Sequence, residues 1–63
     1  MTTEMIDNIN LLRDSNDAID IKVGYMAGDY ELEEVVLECL EILSESNSTH
    51  HIKTESIMHF LHS

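Results

Sequence analysis

The sequence predicts a small all-α protein: a helical hairpin or bundle of three to four helices. Three observations predict it. Proline is absent and only two glycines occur in 63 residues, so little interrupts a helix. Apolar residues recur three and four positions apart over most of the chain. Short runs of Ser, Asn, Asp and Thr separate the apolar segments. The length allows one domain spanning residues 1–63.

The first helix is expected from Thr3 to Arg13, on the spacing of Met5, Ile6, Ile9 and Leu12. Thr2 or Thr3 is placed to cap it, and Glu4 and Asp7 suit the positive end of its dipole. Asp14-Ser15-Asn16-Asp17 is a break followed by a new cap. The second segment, Ala18 to Ala27, is two-valued. Ile19, Ile21, Val23 and Tyr25 alternate with polar or small residues as in a strand. Ile19, Val23, Met26 and Tyr30 also fall on one helical stripe. Helix is favoured, because a lone strand would need a partner from a second copy. Gly28 fits the left-handed position beyond a helix end.

The third helix is the best defined. Asp29 is the expected cap, Glu31, Glu33 and Glu34 crowd the first turn, and the helix runs to about Ser44. Leu32, Val35, Val36, Cys39, Leu40 and Leu43 form its apolar stripe, widened by Ile42 at the edge and by Leu37 well outside it. That face is wider than one neighbour covers. Ser46-Asn47-Ser48-Thr49 is a polar turn. A last helix is expected from His51 or Thr54 to His62, with Ile57, Phe60 and Leu61 on one side and Met58 beside them.

A chain this short buries only about 60% of the surface its unfolded form exposes. Small domains commonly gain stability from disulfides, metals or a second subunit. Cys39 is the only cysteine and is expected as a small buried hydrophobe. A homodimer is therefore expected, with Val36, Leu37, Leu40, Leu43, Ile57 and Leu61 as the dimer or core face.

Thirteen Asp and Glu against three Lys and Arg give a net charge of −10. This argues against direct nucleic-acid binding, which uses basic stripes, and against anionic membrane surfaces. A protein with a basic surface is the natural complement. No apolar run reaches the roughly 18 residues of a membrane span, and the N-terminus lacks the form of a signal peptide, so the cytoplasm is expected.

Catalytic and metal chemistry find little support. His50, His51, His59 and His62 offer donors, and His59 and His62 have ligand spacing, but no Cys-x-x-Cys or His-Glu-x-x-His motif accompanies them. No metal or other cofactor is expected. The serines fall in expected turns and caps, a chain this size has little room for a pocket, and no glycine-rich phosphate loop exists. The protein is not expected to be an enzyme.

The most informative feature is acidic. At about 100° per residue, Glu34, Glu38, Glu41 and Glu45 cluster within about 60° on the outer face of the third helix. Like charges at i, i+4 cost a few tenths of a kcal/mol per pair. No Lys or Arg lies between Gly24 and Ile52 to offset them. This ridge is either a plain solvated face or a docking surface for a basic partner.

From Met26 onward the order is Gly28-Asp29, then Val35, Val36, Leu37, Leu40 and Leu43, a polar turn, Ile52-Lys53-Thr54-Glu55-Ser56-Ile57, and Leu61. Over these last 35 or so residues the chain resembles the small enterobacterial biofilm and acid-resistance regulators of the AriR (YmgB) type, described as two-component-system connectors. The resemblance implies an all-helical homodimer that regulates by contact with a sensor kinase or response regulator. It places Val36, Leu40, Leu43, Ile57 and Leu61 on the packing face. Leu32-Glu33-Glu34 stands where polar and basic residues are expected, which speaks against DNA contact. The expected function is thus non-enzymatic regulation by protein–protein binding. The alternative is a DNA-mimic inhibitor, encoded by a phage or mobile element, that occupies the basic surface of a nucleic-acid-binding protein.

Overall fold

The computed structural model describes all 63 residues as four α-helices and no strand: α1 (Thr3–Asp14), α2 (Asn16–Met26), α3 (Leu32–Ile42) and α4 (His50–Leu61). Each helix packs on its chain neighbour, and α4 returns to pack most extensively on α1. The bundle measures 30 × 19 × 18 Å.

Local chemistry sets the helix ends. The Thr2 hydroxyl accepts from the Met5 amide at 3.3 Å, which makes Thr2 the cap of α1. The expected four-residue break is a single residue, Ser15. Its amide donates to Leu12 O and closes α1, while its hydroxyl accepts from the Ala18 amide and opens α2. Helix α2 therefore begins at Asn16, two residues before the expected start.

The far end of α2 is a Schellman motif. Gly28 has φ +84°, its amide donates to Tyr25 O, and the Asp29 amide donates to Gly24 O at 2.8 Å. Asp29 stands two residues before the cap position of α3, so it does not cap α3 as expected. Glu31 takes that position without a side-chain hydrogen bond. The third helix also stops at Ile42, not near Ser44, and Glu45 stands in the turn that follows. Helix α4 starts at His50 because the Thr49 hydroxyl accepts from the Ile52 amide. Thr54, the alternative start expected for this helix, lies inside it and donates its hydroxyl to His50 O at 2.8 Å.

The core joins Leu12, Ala18, Val35, Cys39, Leu43, Ile57, Phe60 and Leu61, with Ile21, Tyr25, Val36, Leu40 and Ile42 packed against it. Full burial of a side chain such as Leu43 or Phe60 stabilises by about 1.5–3 kcal/mol. Helix α2 contributes to the core in an unexpected way. Ala18, Ile21 and Tyr25 point inward, whereas the stripe Ile19, Val23, Met26 and Tyr30 is exposed. The helix is apolar on two opposite sides. A two-sided helix mimics strand alternation, which explains why its sequence pattern was two-valued.

One part of the interior is polar. Asn8, only 2% exposed, donates from Nδ2 to Ser48 Oγ at 3.1 Å and to Ser56 Oγ at 3.4 Å. Its Oδ1 accepts from Ser46 Oγ at 2.7 Å. The fully buried Ser56 donates in turn to Ile52 O at 2.7 Å. This network ties α1 to α4 and to the turn before it. It leaves no buried side-chain polar atom without a partner, as buried polar groups require. Asn8 and Ser56 went unforeseen, because the expectation placed all serines in turns and caps.

Candidate functional site

Three of the four expected ridge residues, Glu34, Glu38 and Glu41, lie exposed on α3. Glu45 lies apart, beside Glu4, Asp7 and Leu11 in a hollow between α1 and the α3–α4 turn. The α3 carboxylates are also not an isolated ridge. They form one wall of a groove whose other wall carries Asp17 and Asp20 of α2. The packing of α2 on α3 creates this groove, so a one-helix projection could not reveal the second wall.

The groove has two hollows that share Ile21 and Glu38. One, of about 250 Å³, is lined by Ile21, Tyr30, Val35, Glu34 and Glu38. The other, of about 320 Å³, adds Ile42, Glu41, Asp17 and Asp20. Its floor is apolar and its rims are anionic. Tyr30 closes one end by laying its ring against Gly24, where any Cβ would overlap it.

No cation reaches these carboxylates. The single ion pair in the chain joins His51 and Glu55 on α4, at 2.8 Å and largely exposed. Lys22 lies on α2 but turns to the end of α4: its Nζ donates to Ser63 O at 3.1 Å and stands 5.1 Å from the centroid of the Phe60 ring. Arg13 lines a different groove, with His59 and His62.

The expected dimer or core face is mostly consumed inside the chain. Leu43, Ile57 and Leu61 are buried in its own core, and Val36 and Leu40 are half-buried against that core. Leu37 alone is freely exposed, at 59%.

Grooves of a few hundred cubic ångströms do exist, although so short a chain was expected to leave little room for a pocket. The one between α1 and α4, about 490 Å³, is lined by Met5, Met58, His51, His59 and His62 among others. His62 Nδ1 lies 2.8 Å from Met58 O, so that nitrogen carries the proton and donates. No three His, Cys, Asp or Glu side chains are grouped so as to hold a metal ion. Cys39 is fully buried, and burial, with a smaller push from Glu38, raises its thiol pKa to about 11. It is a neutral core side chain and a poor nucleophile.

No helix is long and apolar enough to cross a membrane. The chain matches no protein-family model, and no curated protein or solved structure is significantly similar to it.

Proposed function

We propose that this chain is a small non-enzymatic regulator that acts in the cytoplasm by binding a basic surface of another protein through its α2–α3 face. The observation that carries the proposal is the convergence of five carboxylates, Asp17, Asp20, Glu34, Glu38 and Glu41, on one groove that no cation of the chain enters. Their mutual repulsion is uncompensated within the fold, and a basic partner relieves it. The resemblance to AriR-type connectors makes a sensor kinase or response regulator the partner class to test first.

The apolar floor favours this reading over a DNA mimic. A mimic presents spaced anionic charge to a groove built for phosphates, and has no use for an apolar strip between two acidic walls. Ionic strength separates the two. Exposed charges are screened within about 8 Å at physiological salt, so a mimic loses its target steeply as salt rises, while a partner seated on the floor is retained. The test is capture of partners from the host at two salt concentrations, with wild type and the double variant Glu38→Lys/Glu41→Lys. Wild-type capture lost in the variant supports the proposal; equal capture by both refutes it.

A further inference from the structure

We propose that the last turn of α4 binds a soft monovalent metal ion of the copper(I) class, through the imidazoles of His59 and His62 and the thioether of Met58. The site lies in the α1–α4 groove and shares no residue with the hollows of the α2–α3 face. It is therefore independent of the basic-partner reading.

The three side chains are neighbours by helix geometry. His59 and His62 stand three apart, and Met58 and His62 four apart. His62 caps α4, and its amide donates to Met58 O at 3.2 Å, so the helical turn reaches it. At these spacings Cβ atoms lie about 5–6 Å apart. All three residues line the same groove of about 490 Å³. The ring of His62 is already oriented: its Nδ1 donates to Met58 O at 2.8 Å, which leaves the lone pair on Nε2. Metal-binding imidazoles ordinarily donate their other nitrogen in this way, which fixes tautomer and direction. Across the groove, Met5 of α1 brings a second thioether to the lining.

The donor set selects the ion. Zinc sites draw on His, Cys and carboxylate ligands, and no three such side chains are grouped to hold a metal. The one carboxylate lining the groove, Glu55, is already paired with His51 at 2.8 Å. The remaining donor beside the two imidazoles is thioether sulfur, a soft ligand suited to copper(I) and not to magnesium or calcium. The rival sulfur, the Cys39 thiol, is fully buried in the core.

The test titrates the intact chain with Ag(I), a redox-inert stand-in for copper(I), in buffer free of chloride and thiols, and with Zn(II) in parallel. Methionine methyl and histidine ring resonances locate the ion. Equimolar Ag(I) is expected to move the Met58 methyl and the rings of His59 and His62 while Met26 stays in place, and Zn(II) is expected to leave the Met58 methyl unmoved. Met58→Leu keeps the apolar bulk and removes the sulfur. It should weaken Ag(I) binding by at least about tenfold, the scale on which even outer-shell partners of a metal count. His59→Gln should do the same. If Met58→Leu fails to fold, His59→Gln, at an exposed position, decides. Unchanged Ag(I) affinity in either folded variant, a Met58 response to Zn(II) equal to that for Ag(I), or shifts confined to Met26 or to the surroundings of Cys39 overturns the proposal.

Discussion

The Tyr30 ring lies against the α-carbon of Gly24, so a side chain at this position in the last turn of α2 would displace it. Glycine inside a helix ordinarily costs about 0.5–1 kcal/mol relative to alanine. Here Gly24→Ala displaces the ring and forfeits that gain. In a Tyr30→Ala background the same change is expected to stabilise by about 1 kcal/mol. Chemical denaturation of the four proteins of this cycle checks the coupling; a gain of that size with Tyr30 present would contradict the contact.

Asn8 is the hub that joins α1 to Ser46, Ser48 and Ser56. Asn8→Ala removes the shared partner of the half-buried Ser46 and Ser48 and of the buried Ser56, and is expected to cost about 1–3 kcal/mol. Amide exchange should quicken in the α3–α4 turn more than in α2. A uniform change along the chain would mean that the network does not hold the turn.

Cys39 makes stability fall with alkali. Its thiol titrates at the ordinary 9.0 when unfolded and at about 11 when folded. Above pH 9 the unfolded chain loses a proton that the folded chain keeps. The contribution is intact below pH 9 and is lost as pH rises toward 11, by an amount on the order of 1–3 kcal/mol. Cys39→Ala is expected to flatten that stretch of the stability curve, at the cost of a cavity. Alkylation of native Cys39 at pH 8 should be far slower than in denaturant.

Leu37 and Leu43 were expected on one face, and the structure separates them. Leu43→Ala opens a cavity in the core and is expected to cost about 2–5 kcal/mol. Leu37→Ser alters an exposed position and should stay within about 0.5 kcal/mol. If the chain self-associates, the surface left for it includes the outer stripe of α2. Any dependence of Tm on concentration should then disappear in Val23→Glu and survive in Leu37→Ser. Analytical ultracentrifugation of the same variants gives the independent check.

Much of this fold was legible in the sequence. Leu32, Val35, Cys39 and Leu43 mark α3 by spacing alone, and Gly28 marks the end of α2 because the backbone there is left-handed. The misplaced features depend on tertiary contacts. Asp29 looks like a cap, but it belongs to the turn that ends α2, and α3 begins only at Leu32. Asn8 has the composition of a surface residue, and only the approach of α4 and the turn makes it a buried one. Of the site, Glu34, Glu38 and Glu41 could be read from periodicity on one helix. Asp17 and Asp20 could not, because they join it across a helix pair whose packing face was hidden by the double apolar character of α2.

Ser15 is the whole of the connection between α1 and α2, closing one with its amide and opening the other with its hydroxyl. Such a joint has no slack. One inserted residue must either loosen this joint or turn α2 about its axis by about 100°, and such a turn would draw Ala18 and Ile21 out of the core as it swung Asp17 and Asp20 off the groove. The aim of the acidic wall is thus geared to the far side of the bundle through a single residue.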